Sequence, residues 1–337
     1  MGGGISHEFS NLEARIKPIF IFSLPRSGST LLQRMLTAHA SVASASEPWI
    51  LLPLIGMAGN EGVHTYSNYS SSTSQMAVDD FYAKSPEGWK VLHDSIRSFL
   101  NVSYGAYCKN EESYFLDKTP RYYLIIDEIY KIFPDAKCIF LFRSPLEVTA
   151  SMIRTWSKGS FKLHHQHVDL HYGARCLHHG YIKYKSKSFR LSYDDLVADS
   201  DTAMRDICAY LGLEYDINMV ENFSEVNFLG RMGDPIGIKK YSRVSANTND
   251  GWRRVLSSPV RRWYCKKYIH SLGDDVLHSF GFSGEELLED LLKESVQYGS
   301  IVSDLFWVMA SSMYRMFVSK LLRNSLKEGV LRNEFID

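Results

Sequence analysis

The chain is expected to fold as an α/β protein: a parallel five-stranded sheet flanked by helices, with a C-terminal helical extension. Three observations carry this expectation. Five short apolar runs occur, segments of helical periodicity lie between them, and the runs are apolar on both faces rather than alternating. The runs are Ile19–Leu24, Ser41–Ala45, Tyr114–Leu116, Cys138–Phe142 and Phe189–Ser192. After the first, Thr30–Ala38 places Leu31, Leu32, Met35 and Leu36 on one side of a helix. Arg121–Phe133 does so with Leu124, Ile125, Ile129 and Ile132, and Pro145–Trp156 with Leu146, Thr149, Ala150, Ile153 and Trp156. Gly59–Asp80, rich in Ser, Gly, Asn and Tyr, reads as an insertion or loop. Beyond about Gly284 the chain turns helical and acidic, then ends in Leu305–Arg323, where Phe306, Met309, Met313 and Phe317 recur at helical spacing. The expected organisation is one domain over 17–283 and a helical extension over 284–337. In such sheets ligands sit beyond the carboxyl ends of the strands, so the residues that follow each strand are the candidates.

Composition narrows the function. With 45% hydrophobic and 13% aromatic residues the chain can fill a core. Lys plus Arg and Asp plus Glu are equal at 38 each, so no basic excess exists to hold a nucleic acid. Charge is uneven locally: Arg231–Lys267 carries ten Lys/Arg against two Asp/Glu, and Tyr268–Asp304 carries one against eight. This reads either as two solvated faces or as a positive segment facing an anionic ligand. The five cysteines form no CxxC pair, which excludes a zinc ribbon and suits a reducing compartment. The first 17 residues are polar, and no apolar run reaches the ~20 residues of a membrane span. A cytoplasmic location is expected, with docking on a membrane through 305–323 as the minority reading of the last helix.

Two loops carry chemistry. The first apolar run leads into Pro25-Arg26-Ser27-Gly28-Ser29-Thr30 and straight into a helix. A Gly-containing loop at a helix start offers free N–H groups and the positive dipole end, and Arg26 adds a fixed charge: a P-loop-like anion cradle. The fourth run ends in Arg143, followed by Ser144 and Pro145 at a helix start. Ser151 and Arg154 stand three apart on that helix, opposite its apolar stripe, and make a second anion site with Arg143. Two such sites imply a ligand with two separated anionic groups. A P-loop kinase needs GxxxxGK[ST] and a strand ending in Asp for magnesium. Here no Lys follows Gly28 in that pattern, and the strand ends in an arginine that repels a metal.

The segments LPRSGSTLLQRML and FPDAKCIFLFRSPLEVTASM together resemble the PAPS-dependent sulfotransferase family, PAPS being 3′-phosphoadenosine 5′-phosphosulfate. The resemblance runs over about 17–265. It implies that Arg26, Ser27, Gly28, Ser29 and Thr30 hold the 5′-phosphosulfate, and that Arg143 and Ser151 hold the 3′-phosphate. LSYDDLVADSDTAMRDICAYLGL is similar to the family's next segment, which places Tyr193 near the nucleotide. Arg231-x-Gly233-x3-Gly237-x-Lys239 resembles the loop that closes over the co-substrate, one residue longer in spacing, and implicates Lys239, Lys240 and Arg243. LTAHASVASASEPWILLP with Lys118-Thr119-Pro120-Arg121 is more similar to the tyrosylprotein and glycan branches than to the cytosolic small-molecule branch. In the tyrosylprotein branch, residues at the places of Glu47 and Lys118 serve as base and transition-state stabiliser. The implied reaction moves a sulfuryl group to an acceptor hydroxyl on a glycan, a glycolipid or a tyrosyl group, and leaves PAP.

The chemistry needs those residue types. In-line transfer spreads charge over three equatorial oxygens, the acceptor hydroxyl needs a base, and the leaving oxygen needs cations such as Arg26 and Lys118. No metal is expected. His164, His165, His167, His171, His178 and His179 fall within sixteen residues. They read as a polar wall beside the acceptor pocket, and secondarily as an alternative source of the base or a zinc site. A metal-dependent nucleotide kinase and a non-catalytic nucleotide-binding protein are the competing readings.

Overall fold

Strand β1 (Lys17–Phe22) turns Ile19 and Ile21 to one face and Phe20 and Phe22 to the other, and all four are buried. That is why the run is continuously apolar. In this computed structural model the described residues are 16–57, 78, 81–108, 112–163, 166–226, 228 and 251–327. On one face Ile19 and Ile21 join Leu31, Leu32, Met35 and Leu36 of the helix Ser29–Thr37, and Met204, Ile207 and Leu211 of the helix Ser200–Leu211. On the other, Phe20 meets Tyr122 and Phe133, and Phe22 meets Tyr130 and Phe140. Each such buried side chain contributes ~1.5–3 kcal/mol.

The remaining strands are β2 (Val42–Ser44), β3 (Tyr114–Asp117), β4 (Lys137–Phe142) and β5 (Ser188–Ser192), in the order β2-β3-β1-β4-β5. Each matches an expected run to within two residues at either end. β1 pairs in parallel with β3 (Phe20 opposite Asp117) and with β4 (Phe22 opposite Phe140), and β2 with β3 (Ser44 opposite Leu116). The chain crosses β1 between β3 and β4, which puts a topological switch point beside the loop after β1.

One helix differs from expectation. Arg121–Phe133 is not continuous: a 3-10 turn at Tyr122–Leu124 precedes the helix Ile126–Ile132, with Ile125 at φ −131° between them. The turn lets the Tyr122 hydroxyl reach the buried Asp117 carboxylate, 2.9 Å away. Pro145–Trp156 is a helix over the expected span, capped by Ser144 with Pro145 at its first turn. All but one residue of the expected loop 59–80, together with 229–250, lie outside the described residues.

Two compact units divide the chain, the first formed by Met1–Ser23, Ser27–Leu141 and Gly180–Ser245, the second by Leu24–Arg26, Phe142–His179 and Ala246–Asp337. The first holds the sheet core. In the second, the long helix Ile301–Lys327 is tied down at its start by Asp304, which is fully buried. Asp304 accepts from Arg261 Nε (2.9 Å) and Nη2 (2.8 Å), Ser258 Oγ (2.6 Å) and Ser300 Oγ (2.8 Å). Arg261 of the helix Pro259–Leu272 and Asp304 share one buried ion pair. On the helix Ile301–Lys327, Val302, Phe306, Met309 and Met313 are exposed.

Candidate active site

In the first unit, the helix that follows β1 begins at Gly28, whose φ of +97° suits glycine. A Cβ there would lie 2.3 Å from Cδ2 of Tyr193, so the glycine also makes room for that ring. The first helical turn carries no acidic residue, which leaves its positive dipole end uncompensated. Ser27 and Ser29 are buried in this loop. Thr30 Oγ1 stands 3.5 Å from the Lys118 ammonium.

Lys118 follows β3, and its side chain is 2% exposed. Its Nζ lies 2.7 Å from Glu47 Oε1, and the Glu47 side chain is 9% exposed. Two charges so deeply buried are held only as a pair. The other carboxylate oxygen, Oε2, accepts from Trp49 Nε1 at 3.1 Å. Trp49 itself has φ +55°, a left-handed backbone that non-glycine residues rarely adopt. Before Glu47 the chain is pinned by Gln33 Nε2, which lies 2.8 Å from Ser44 Oγ, 2.7 Å from Ala45 O and 3.2 Å from Ser46 O.

Behind Lys118, Asp117 is fully buried. It accepts from Tyr104 (2.7 Å), Tyr122 (2.9 Å) and Thr119 (3.2 Å). Burial pushes this carboxyl up to about 6, against the opposing pull of those three hydroxyls and of Lys118.

In the second unit, Arg26 (φ +71°) donates from Nε to Ser151 Oγ at 3.3 Å. Arg143 donates from Nη1 to the Arg26 carbonyl at 3.2 Å, and forks onto Glu147 Oε2 from Nε (2.9 Å) and Nη2 (2.8 Å). Arg154 stands on the exposed side of the same helix. Partial desolvation of its guanidinium first, then the like charges of Arg143 and Arg26, lower it from the ordinary value, with Glu147 opposing. Three guanidiniums and one carboxylate leave two net positive charges, a cluster suited to a phosphate dianion.

Lys239, Lys240, Arg243, His164 and His165 lie outside the described residues. His171 hydrogen-bonds through Nε2 with the Tyr264 hydroxyl (3.2 Å) and through Nδ1 with Ser271 Oγ (3.3 Å). With His167, Phe161, Trp263, Tyr264 and Tyr268 it lines a cavity of about 260 Å³. Among the described residues no group of three or more His, Cys, Asp or Glu side chains is placed to hold a metal ion. Sequence reasoning missed Glu147, Gln33 and Asp117. The i, i+4 spacing of Arg143 and Glu147 was a usable signal; the three hydroxyls around Asp117, gathered from separate elements, left none.

A family model described as "Sulfotransferase family" matches residues 18–217, more than half of the chain. The chain belongs to the sulfotransferase family. The matched span of this sulfotransferase-family protein contains Arg26–Thr30, Glu47, Lys118, Arg143, Ser151, Arg154 and Tyr193. Among curated relatives, the nodulation protein NoeE of Sinorhizobium fredii is 30% identical over 139 residues, covering 41% of this chain and 31% of its own length. The chain thus spans about a third of that relative. Among solved structures it is similar to the sulfotransferase domain of the Synechococcus PCC 7002 olefin synthase, with 24% identity, TM-score 0.47, and coverage of 71% of this chain and 88% of that one. The sulfotransferase domain from the curacin biosynthetic pathway has 18% identity and TM-score 0.47, over 83% of this chain and 98% of that one.

Proposed function

We propose that the protein transfers the sulfuryl group of PAPS to an acceptor hydroxyl, releasing PAP. The observation that carries this reading is the buried Lys118–Glu47 pair, at 2.7 Å, beside Thr30 of the Gly28 loop. Family membership supplies the donor. In the proposed reaction Glu47 takes the hydroxyl proton as the oxygen–sulfur bond forms. Lys118 and Arg26 neutralise the bridging oxygen as its bond to sulfur breaks and PAP leaves. Ser27–Thr30 hold the 5′-phosphosulfate, Arg143, Ser151 and Arg154 hold the 3′-phosphate, Tyr193 lies near the nucleotide, and Lys239 and Arg243, outside the described residues, are the further cofactor-binding candidates. No metal is needed in this scheme, because arginine and lysine carry the countercharge.

The acceptor in this reading is a glycan, a glycolipid or a tyrosyl group. Support comes from the aromatic cavity around His171, whose ring faces suit a sugar or a phenol. Among the described residues no helix is long and apolar enough to cross a membrane. The exposed Val302, Phe306, Met309 and Met313 support peripheral contact with a membrane that carries a lipid-linked acceptor. The five free cysteines favour the cytoplasm.

The test is turnover of labelled PAPS against a panel of hydroxyl acceptors, with Glu47→Gln as control. The variant keeps the shape and loses the base, so kcat should fall ~100–10,000-fold with PAP affinity nearly intact. Wild-type kcat in Glu47→Gln would return the base to the histidines at 164–179.

A further inference from the structure

We propose that Asp117 is a positioning residue: its ionised carboxylate orients two hydroxyls that hold the 49–51 backbone, and through it fixes Glu47 against Lys118. The proposal rests on the reading of Glu47 and Lys118 as base and stabiliser. Asp117 and Lys118 are neighbours at the end of β3, so Lys118 does not shift without moving the buried carboxylate.

The direction of each hydrogen bond matters. Thr119 Oγ1 donates to Asp117 Oδ1 (3.2 Å) and accepts from the Trp49 amide (3.2 Å). Tyr122 OH donates to Asp117 Oδ2 (2.9 Å) and accepts from the Leu51 amide (3.4 Å). A hydroxyl has one hydrogen, and a carboxylate is acceptor-only, so the ionised Asp117 commits both hydrogens inward and leaves both lone pairs to the loop amides. Tyr104, from the helix Trp89–Tyr107, donates to the same oxygen as Tyr122. Trp49 is the residue with the left-handed backbone, and its indole N–H in turn holds Glu47 Oε2. A strained residue persists only where its surroundings over-determine it, and here an amide acceptor and a side-chain acceptor do so.

The titratable groups facing Asp117 are Tyr104, Tyr122 and Lys118, while β1 presents Phe20 opposite it. Protonation makes Asp117 a donor, so one of the three hydroxyls must turn its hydrogen away and accept instead. Where that hydroxyl is Thr119 or Tyr122, the acceptor geometry offered to the loop amide changes. With this carboxyl raised to about 6 by burial, that change is expected near pH 6.

The test compares Asp117→Asn, Thr119→Val and Glu47→Gln in the full chain, by kcat, acceptor KM, PAP affinity and the pH dependence of kcat. Asp117→Asn puts a donor in place of an acceptor, and should lower kcat by about 100-fold through misplacement of the pair, with PAP affinity within about twofold. Its pH profile should lack the component that titrates near 6 in the wild type. Thr119→Val keeps the shape, removes the Trp49 acceptor, and should lower kcat in the same direction. It also decides the question if Asp117→Asn does not fold. Wild-type kcat and pH profile in Asp117→Asn or, failing its folding, in Thr119→Val, with Glu47→Gln impaired, overturn the positioning role. Wild-type kcat in Glu47→Gln overturns the base assignment instead, so the two failures are separable.

Discussion

Arg143 has a structural role in the helix start, and in the proposed function it also holds the 3′-phosphate. Its fork onto Glu147 holds the guanidinium in place, and Nη1 also reaches the Arg26 carbonyl. Arg143→Ala should weaken PAP binding by ~2–5 kcal/mol, since a desolvated phosphate loses its partner. Adenosine 5′-phosphate, which lacks the 3′-phosphate, should lose much less; equal losses by calorimetry would remove Arg143 from the 3′ site. Asp117 makes a prediction of opposite sign to the usual carboxylate. Its folded value is raised, so the stability it contributes is full below about pH 4 and is lost as pH rises through about 6. Urea unfolding should show the wild type losing ~3 kcal/mol relative to Asp117→Asn between those limits. A pH-independent difference between the two proteins would mean that Asp117 titrates normally.

At the scale of elements, the turn between β1 and the helix Ser29–Thr37 is set by Gly28 twice over. Its φ of +97° disfavours any side chain, and a Cβ would stand 2.3 Å from Tyr193 Cδ2. Gly28→Ala should therefore cost ~1–3 kcal/mol from overpacking, with a further ~1 kcal/mol from the left-handed backbone. Adding Tyr193→Ala relieves the clash and not the backbone strain, so the double variant separates the two. A thermal midpoint for Gly28→Ala equal to the wild type would show that the ring does not press on this turn. The loop itself was legible in the chain as a small-residue turn between an apolar run and a helical period, a pattern shared by ordinary strand-to-helix turns. Its contact with Tyr193 was not legible, since the partner lies 165 residues away and only packing brings it there.

For the whole molecule, the second unit depends on a buried charge rather than on apolar burial alone. Asp304→Ala strips Arg261 of its partner and should cost ~3–5 kcal/mol, read by urea unfolding. Asp290→Ala at the partly exposed Arg253 pair should cost under ~1 kcal/mol. Comparable losses at both would contradict the role given to burial. What could be read along the chain was whatever depends on near neighbours. The five strands, the Gly28 turn and the capped helix Pro145–Trp156 follow from periodicity and local backbone preference, and Arg26 and Arg143 stand out by their places after strands. What awaited folding was whatever depends on partners distant in sequence. Glu47 meets Lys118 across 71 residues, and Arg261 meets Asp304 across 43. Asp117 gathers its hydroxyls from a helix, a 3-10 turn and the strand end. A pattern of hydrophobicity specifies which face of an element is buried, and it is silent on which polar groups meet there; that is settled by sheet order, register and the need of each buried charge for a partner.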